Sequence, residues 1–368
     1  MTSTIIEEIS TKKEMVVLPQ MDLMGHEQIT FCNDSSTGLK SIIGIHNTTL
    51  GPALGGTRVW AYATEADALK DVLRLSRGMT YKSAISGINL GGGKAVIIAD
   101  PKTNKGEAFW RRYGKFVNGL GGKYITAEDV GTSPSDMVHI AMETKFVAGK
   151  PDFLGGSGDP SPVTAYGVFL GIKASVKELT GSDDLTGKTV SVQGVGHVGQ
   201  YLVEHLCKAG AIVTICDINE QNIKAVSEKN KVTIVSPQDI YKVQSLIYAP
   251  CALGATVNDT TLAELNCAII AGAANNQLED EEKHGKAIIE KGILYAPDFL
   301  INAGGVINCY TEVIGVGRDM AVGLTENIYS KTLEIFKTAK EQNITTQKAA
   351  MLLAEQRIQQ VAKIKSVM

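Results

Sequence analysis

The sequence lacks the patterns that mark disulfide-rich, membrane and secreted proteins. Its six cysteines are scattered and form no C-x-x-C pair, which is typical of a reduced, intracellular protein and not of a disulfide scaffold or zinc module. No uninterrupted apolar run reaches the roughly 18–20 residues that span a bilayer. Residues 1–15 mix Glu and Lys without an apolar centre, so we expect no signal peptide. These features predict a cytoplasmic protein with no membrane partner.

Several catalytic and binding motifs are absent as well. The histidines show no H-E-x-x-H or comparable spacing, so we expect no metal site. The nearest match to the nucleophile elbow G-x-S-x-G begins at Gly155 and fails at its last position, Asp159. The 36 Lys and Arg residues nearly balance the 39 Asp and Glu residues, for a net charge of -3. This balance gives no electrostatic footprint for nucleic acid.

Glycine, in contrast, is plentiful. It accounts for 38 of the 368 residues, just over a tenth, whereas about 7% is usual. Glycine is favoured where the backbone turns sharply or closely approaches another group. The excess therefore indicates either ordinary turns or sites where the backbone meets a ligand.

The length and the distribution of Gly and Pro predict two domains. At about 100–200 residues per domain, a length of 368 residues predicts two domains and is compatible with three. Residues 149–162 are dense in Gly and Pro and lack periodic apolar residues, which indicates a boundary or hinge. Helices are predicted near residues 325–341 and 346–364. The second carries an apolar stripe that must pack on the first domain or on another subunit, formed by Ala350, Ala354, Ile358, Val361 and Ile364.

The pattern of apolar residues changes at this boundary. Before it, a helical pattern begins at Thr64, and β-rich runs predict strands at residues 28–32, 40–46, 95–99 and 124–126. After it, continuous apolar runs alternate with helical stretches at residues 190–193, 211–216, 232–235, 246–249 and 268–271. This alternation predicts a parallel, doubly wound sheet covered on both faces.

A dinucleotide-binding motif lies in the second half of the chain. Residues 194–199 read G-V-G-H-V-G, follow a predicted strand and open a helical run, and Asp217 ends the next strand. The glycines would let backbone N–H groups reach a pyrophosphate, and the acid would bind an adenosine ribose. Ile218 and Asn219 follow Asp217 with no Arg to receive a 2′-phosphate, which favours NAD over NADP. The alternative is a glycine-rich turn that binds no nucleotide, and His197 is expected to face solvent or phosphate.

Lysines accompany the glycines of the first half. Lys94 follows three glycines at the start of the predicted strand at residues 95–99, and Lys82 precedes it by 12 residues. The segment is not a P-loop, because Ala95 stands where that motif requires Ser or Thr. A lysine at the mouth of an apolar strand can lose solvation, which lowers its pKa and makes it a usable base. Each lysine could equally be a surface charge, and Asp129 could be a helix cap.

At these residues the sequence resembles the glutamate/leucine/phenylalanine/valine dehydrogenase family, and within it the leucine dehydrogenases most closely. The resemblance rests on blocks at residues 51–58, 78–82, 89–94, 124–132, 160–167, 249–254 and 296–308. It implies an N-terminal α/β substrate domain and a Rossmann-like NAD-binding domain with a cleft between them. The domains would comprise residues 1–148 and 149–342, with residues 343–368 packing back on the first. The implied reaction is reversible NAD-dependent oxidative deamination of an L-amino acid to its 2-oxo acid and ammonia.

The resemblance also implies roles for individual residues. Lys82 would hold the substrate α-carboxylate, Lys94 would activate water, and Asp129 would exchange protons with the substrate nitrogen. The expected substrate-binding residues are Lys82, Leu54, Gly55, Met79, Ala127, Asn275, Val306 and Cys309. The expected cofactor-binding residues are Thr164, Gly194, Gly196, His197, Val198, Gly199, Asp217, Ile218, Cys251, Ala252, Ala273, Asn275 and Asn302. A homo-oligomer, commonly an octamer, is implied too.

Substrate preference follows from a few of these positions. Glutamate-specific members of the family carry a lysine where this chain has Leu54, and without that counter-charge a buried side-chain carboxylate would be costly. Ala127 resembles the leucine and valine type, which predicts a branched-chain substrate. Cys309 stands where leucine dehydrogenases usually have Val, so we expect an altered preference among Leu, Ile and Val. Asp159 replaces a usual Asn.

Alternatives to this prediction remain open. A family member preferring valine or phenylalanine would have nearly the same sequence pattern. A 2-hydroxy-acid dehydrogenase would need a His/Asp couple and an Arg clamp in place of Lys82 and Lys94. A non-catalytic sensor of NAD or amino acid would not need to keep a tuned base such as Lys94.

Overall fold

The computed structural model describes residues 17–103 and 105–365, and these form two compact units. Within the described residues, the first unit contains those up to Thr48 together with Pro52–Met79 and Gly92–Phe146. The second contains Thr49–Gly51, Thr80–Gly91 and the residues from Val147 onward. Residues 1–15, where no signal peptide is expected, lie outside the described part of the chain.

The first unit is built on a mixed five-stranded sheet of order β1-β2-β4-β3-β5. Its strands are β1 (Gln28–Asp34), β2 (Leu39–Asn47), β3 (Ala53–Trp60), β4 (Gly91–Ile98) and β5 (Tyr124–Glu128). β2 is antiparallel to both β1 and β4, whereas β3 and β5 run parallel. The helices are α1 (Val17–Met24), α2 (Glu65–Ile85), α3 (Glu107–Gly119) and α4 (Pro134–Ala141), and the residues of α2 from Thr80 onward belong to the second unit. The apolar face of α2 packs through Leu69, Val72 and Leu73, which are fully buried.

The second unit contains a six-stranded sheet in which every pair of neighbouring strands is parallel. Its strands are β6 (Thr189–Gln193), β7 (Ile212–Cys216), β8 (Val232–Ile234), β9 (Ile247–Pro250), β10 (Ile269–Ile270) and β11 (Leu294–Tyr295). The spatial order β8-β7-β6-β9-β10-β11 is the 3-2-1-4-5-6 order of a dinucleotide-binding fold. The predicted doubly wound parallel sheet is confirmed.

Helices separate the strands of the second unit. The helices that precede β9 are α5 (Ser161–Thr180), α6 (His197–Lys208) and α7 (Glu220–Ser227). Those that follow β9 are α8 (Asp259–Glu264), α9 (Glu281–Glu290), α10 (Asp298–Ile301), α11 (Gly304–Val313), α12 (Arg318–Gln342) and α13 (Thr346–Lys365). The segment predicted as a boundary or hinge contains a single 3-10 turn, Asp152–Leu154.

The observed elements differ from the sequence-based predictions in three places. β3 was not predicted, because Gly55 and Gly56 in its middle are typical of a turn. β4 begins at Gly91 and not at residue 95, so Lys94 lies inside the strand and not before it. The predicted helix at residues 325–341 begins earlier, at Arg318. In β3 and β4, glycines occur inside the strands because neighbouring chain segments lie too close to leave room for a side chain.

The apolar stripe of the last helix is buried at its N-terminal end only. Ala350 and Ala354 are fully buried, whereas Ile364 is 69% exposed. Further along the helix, the Arg357 guanidinium donates to the backbone carbonyls of Ala84 (3.1 Å) and Ile88 (2.8 Å), which belong to the same compact unit. These bonds fix the end of α2 against α13. The division into domains at residue 148, with residues 343–368 returning to the first, stays a prediction.

Candidate active site

A lysine–aspartate ion pair lies at the centre of the first unit. Lys94 extends from β4 and its side chain is only 8% exposed, and Asp129 immediately follows β5. The Nζ atom of Lys94 contacts Oδ2 of Asp129. The other carboxylate oxygen, Oδ1, accepts the backbone N–H of Val130 (2.6 Å). The structure thus brings the two residues predicted to be catalytic into direct contact.

Close approach of strands β3, β4 and β5 makes this contact possible. A Cβ atom on Gly55 would overlap the carbonyl oxygen of Gly93, and a Cβ on Gly56 would overlap that of Glu128. A Cβ on Gly93 would lie 2.7 Å from the ring of Tyr124. The Tyr124 hydroxyl donates to the carbonyl of Gly55 (2.6 Å), which fixes the strands in register. These glycines serve strand packing, and they bring β4, which carries Lys94, and β5, which precedes Asp129, close to β3 on either side.

Buried hydroxyls support the strands beside the ion pair. The Oγ1 atom of Thr57 lies 2.6 Å from both the Tyr113 hydroxyl and Oγ1 of Thr126, and all three side chains are fully buried. The backbone N–H of Asp129 donates to Oγ1 of Thr132 (2.8 Å). Because buried polar groups that are fully hydrogen-bonded rigidify their surroundings, the carboxylate of Asp129 has a defined orientation.

Arg58 is a charged neighbour of the ion pair that the sequence analysis did not assign. Its Nη2 atom lies 3.8 Å from Oδ1 of Asp129, and its Nη1 lies 3.0 Å from Asp71. Asp71 also accepts the Tyr62 hydroxyl (2.7 Å). Asp129 therefore lies between two cations, which favour its ionised form. The sequence did contain a signal for Arg58, because this residue ends the family block at residues 51–58.

The remaining predicted residues of the first unit lie on two elements. Leu54 and Ala127 are buried on β3 and β5, where they pair with Ile125 and Gly56 respectively. Met79 lies on α2 and is partly buried. Leu54 is thus a buried apolar side chain, and its contact with substrate stays a prediction.

In the second unit, Lys82 contacts Asn275, which is held in turn by Asn302. Its Nζ donates to Oδ1 of Asn275 (3.2 Å), and the same oxygen accepts Nδ2 of Asn302 (2.8 Å). Nδ2 of Asn302 also donates to the carbonyl of Ala273 (3.0 Å). Burial lowers the pKa of Lys82 to about 8, and the negative charge of Asp298 opposes this shift. Four residues predicted to bind substrate or cofactor thus lie together: Lys82, Ala273, Asn275 and Asn302.

Helices α5 and α11 meet at their N-terminal ends, where further predicted residues lie. A Cβ on Gly304 would overlap the carbonyl of Val163, and a Cβ on Gly305 would lie 3.3 Å from Oγ1 of Thr164. Val306 on α11 is buried, and Cys309, one turn later, is partly buried. The departure Asp159 has a structural role, because its carboxylate accepts the backbone N–H of Ser161 (2.9 Å) at the start of α5.

The predicted dinucleotide loop joins β6 to α6. Gly194 has φ +94°, which favours glycine, and a Cβ on Gly199 would overlap the carbonyl of Gly194. Gly196, in contrast, has nothing within 4 Å of its Cβ position. Asp217 accepts the backbone N–H of Val195 (2.8 Å), so the acid at the end of β7 contacts the loop directly. The loop and the acid are brought together as the motif predicted.

Two features of the second unit fit a nicotinamide dinucleotide. The first N–H groups of the 12-residue helix α6 have no partner within the helix, and the space at Gly196 leaves them open to a pyrophosphate. Oδ1 of Asn302 is buried and has no hydrogen-bond partner among the described residues. It is an acceptor suited to the amide N–H groups of a nicotinamide.

Five other predicted cofactor residues lie in this loop or beside residues that contact it. His197 is exposed, Val198 is partly buried and Ile218 is 93% exposed. Ala252 lies against Gly194, and the backbone N–H of Cys251 donates to the carbonyl of Gln193 (2.7 Å). Burial raises the pKa of the Cys251 thiol to about 12, so this cysteine remains protonated at neutral pH.

The described residues carry neither a metal-binding cluster nor a membrane-spanning helix. They contain no group of three or more His, Cys, Asp and Glu side chains arranged to hold a metal ion. In the same part of the chain, no helix has the length and apolar character needed to cross a membrane.

Family profiles match both halves of the chain. The profile described as "Glu/Leu/Phe/Val dehydrogenase, dimerisation domain" matches residues 26–146. The profile "Glutamate/Leucine/Phenylalanine/Valine dehydrogenase" matches residues 155–366. The chain belongs to the Glu/Leu/Phe/Val dehydrogenase family. It is therefore an amino acid dehydrogenase, an oxidoreductase of a family that uses NAD(P).

Individual relatives cover almost the whole chain. The leucine dehydrogenase of Thermoactinomyces intermedius is 52% identical over 352 residues, which cover 96% of each chain. The phenylalanine dehydrogenase of the same organism is 46% identical over 354 residues, again 96% of each chain. The crystal structure of L-tryptophan dehydrogenase from Nostoc punctiforme matches with a TM-score of 0.85 at 47% identity, covering 95% of this chain and 100% of that one. Relatives named for three different substrates are thus similar to this chain.

Proposed function

We propose that this protein catalyses the reversible NAD-dependent oxidative deamination of branched-chain L-amino acids, L-leucine foremost and also L-isoleucine and L-valine. The products would be the 2-oxo acid and ammonia. The contact between Lys94 and Asp129 carries the proposal, because the reaction needs an acid–base group for the substrate nitrogen and another for water.

The reaction assigns a different task to each group. Lys82, as an ammonium, would bind the substrate carboxylate, and Asp129 would accept a proton from the substrate amine. Loss of hydride from Cα would follow and leave a C=N bond, and NAD held at the loop after β6 would supply the acceptor chemistry for it. Lys94, in its neutral form, would take a proton from the water that adds to the resulting C=N bond. Asp129 would return its proton to the nitrogen, and ammonia would leave as the hydroxyl proton passes to solvent and the carbonyl forms.

Apolar surroundings favour a branched-chain side chain. Leu54 and Val306 are buried apolar residues at predicted substrate positions. Neither can neutralise the side-chain carboxylate of glutamate, and burying that charge without a partner is costly. A pocket that gains its selectivity from apolar contacts separates Leu, Ile and Val only weakly, by about 1–3 kcal/mol per methylene.

The end of β7 favours NAD over NADP. Asp217 accepts the backbone N–H groups of Val195 and Asn219, and both bonds are 2.8 Å long. Its carboxylate oxygens can still accept ribose hydroxyls, whereas a 2′-phosphate would place like charges together. The exposed Ile218 offers no cation for such a phosphate.

A homo-oligomer, an octamer by family resemblance, is part of the proposal. The family profile that matches residues 26–146 is described as a dimerisation domain, which supports self-association of the first unit. Light scattering coupled to size exclusion would give the mass directly. A monomer at micromolar concentration would contradict this part of the proposal.

Substitution of Lys94 tests the proposed chemistry. We expect Lys94→Ala to lower kcat for L-leucine by about a hundred- to ten-thousand-fold, because a positioned base is lost. Binding of NAD, measured by calorimetry, should be unchanged. Lys115→Ala is the matched control, since Lys115 is an exposed lysine of the same unit. Near-normal turnover by Lys94→Ala would contradict the assignment.

A substrate with a large aromatic side chain is the second candidate. It is favoured by the 46% identity to a phenylalanine dehydrogenase, only slightly below the 52% to a leucine dehydrogenase. The partly buried Cys309, smaller than Leu or Ile, would leave room for a larger side chain. Initial rates with L-phenylalanine and L-tryptophan beside L-leucine distinguish the two candidates.

A further inference from the structure

A short segment between β10 and α9 presents Asn275 to Lys82, and it is held by two residues at the ends of helix α10. Oδ2 of Asp298, the first residue of α10, accepts the backbone N–H of Gln277 (3.0 Å). Asn302, four residues later, donates to the Ala273 carbonyl (3.0 Å) and to Oδ1 of Asn275 (2.8 Å). Asp298 and Asn302 are 5% and 4% exposed, so both anchors are buried.

The segment is also braced from within. The fully buried Gln277 donates through Nε2 to the carbonyls of Gly272 (2.8 Å) and Ala274 (3.0 Å). Because its backbone N–H is bound to Asp298, both the backbone and the side chain of Gln277 are fixed by hydrogen bonds. The position of the Asn275 amide, which accepts the ammonium of Lys82, therefore depends on the buried carboxylate of Asp298.

The charge of Asp298 acts on Lys82 as well. Burial raises the pKa of Asp298, and the Gln277 N–H and the positive charge of Lys82 lower it. The other titratable groups facing Asp298 are Glu281, which adds a negative charge, and Tyr295, whose buried hydroxyl stays protonated. Burial lowers the pKa of Lys82 to about 8, and Asp298 is the charge that opposes this shift. Each group thus favours the charged form of the other.

We propose that Asp298 is a positioning residue for the substrate carboxylate: it anchors the segment that presents Asn275 and supplies the buried negative charge that faces the Lys82 ammonium. This inference rests on the proposed function, in which Lys82 binds that carboxylate. A lysine that has lost its proton cannot form the ion pair with the substrate. Asp298 would therefore extend substrate binding to higher pH without touching the reacting atoms.

The first test measures Lys82 itself and needs no turnover. The pH dependence of acetic anhydride labelling, followed by peptide mass spectrometry, gives the pKa of Lys82, with the exposed Lys242 as internal reference. We expect Asp298→Asn to lower the midpoint for Lys82 by about half a unit to one unit, because an opposing charge is removed while an acceptor for Gln277 is kept. Lys242 should not change. Glu228→Gln, a neutralised exposed carboxylate of the same unit, is the control.

The second test uses the KM for L-leucine. In the wild type KM should rise above about pH 8, where Lys82 loses its proton. In Asp298→Asn this rise should begin at lower pH, so that KM at pH 9 exceeds the wild-type value by about three- to tenfold while KM at pH 6.5 and kcat at saturation change little. Titration of the free amino acid is common to both proteins and cancels in the ratio.

The outcomes separate the inference from the proposed function. An unchanged Lys82 midpoint in folded Asp298→Asn overturns the inference, whatever the substrate. A shifted midpoint without deamination of any L-amino acid contradicts the proposed function and leaves the charge effect standing. Should Asp298→Asn fail to fold, Asp298→Ser removes the charge with a smaller side chain whose hydroxyl can still accept from Gln277. The same shift is expected from it, and its absence overturns the inference equally.

Discussion

The two glycine-rich regions of this chain use glycine for different physical reasons. In the first unit, Gly55 and Gly93 lie inside strands, and a Cβ at either position would meet neighbouring backbone or the Tyr124 ring. In the loop after β6, Gly194 and Gly199 allow a sharp turn and close packing, but Gly196 faces open space. The first region therefore needs glycine for folding, whereas the second contains a glycine that only a ligand would need.

This difference bears on how the site is built. The predicted catalytic residues Lys94 and Asp129 are held by strands that cannot separate without loss of the fold. The predicted cofactor loop is a local structure whose central glycine can change without disturbing its neighbours. Substitutions by alanine should separate the two cases, because each adds only one methyl group.

The largest effect is expected for Gly55→Ala. The added Cβ would overlap the carbonyl oxygen of Gly93, so β3 and β4 would have to move apart. We expect a loss of more than about 4 kcal/mol in the free energy of unfolding, or no folded protein. Urea unfolding followed by circular dichroism measures this loss. Gly44→Ala in β2 of the same sheet is the control, because the nearest atoms to its Cβ position are side-chain atoms at 3.2–3.3 Å. Near wild-type stability of Gly55→Ala would show that β3 and β4 can move apart without loss of the fold.

A smaller but still substantial effect is expected for Gly199→Ala. Its Cβ would overlap the carbonyl of Gly194 and push the loop away from α6. We expect destabilisation of about 1–3 kcal/mol and a loss of NAD affinity of tenfold or more, on the order of 1.4 kcal/mol. Thermal unfolding and calorimetric titration with NAD measure the two effects. Unchanged NAD affinity would contradict the placement of the dinucleotide at this loop.

Gly196→Ala should change binding and leave the fold intact. Nothing lies within 4 Å of the Cβ position, so we expect the free energy of unfolding to stay within about 0.5 kcal/mol of wild type. The methyl group would, however, occupy the space in which the loop backbone approaches the pyrophosphate. Affinity for NAD should therefore fall by about tenfold. If Gly196→Ala lost as much free energy of unfolding as free energy of NAD binding, the distinction between the two glycine-rich regions would be wrong.

The smallest effect, and one of opposite sign, is expected for Gly78→Ala. Gly78 lies within α2, is exposed and has open space at its Cβ position. Alanine should stabilise the protein by about 0.5–1 kcal/mol, because glycine costs backbone entropy in a helix interior. Urea unfolding gives the value. A destabilised Gly78→Ala variant would contradict the open space at this position.

The sequence was most informative where function depends on local structure. The turn at Gly194 and the acid Asp217 follow one another along a single βαβ unit, so their meeting could be predicted from spacing. The pairing of Lys94 with Asp129 required the strand order of the first sheet, which no periodicity specifies. Strand β3 was missed because packed glycines have the same composition as a turn.

Residues that act through other residues were the hardest to find. Asp298 and Arg58 both lie within sequence blocks that resemble the family, yet neither was assigned a role. Asp298 contacts the Gln277 backbone across 21 positions, and Arg58 faces both Asp71 and Asp129. Such contacts arise from tertiary packing, and the residue type alone does not distinguish them from surface charges.

The most direct test is the initial rate of cofactor reduction across L-leucine, L-isoleucine, L-valine, L-phenylalanine, L-tryptophan and L-glutamate, each with NAD and with NADP. We expect the highest kcat/KM for the branched-chain amino acids with NAD, a much lower value for L-glutamate because Leu54 offers no counter-charge, and weak use of NADP because of Asp217. A preference for L-glutamate or for NADP, or no deamination of any amino acid, would contradict the proposed function.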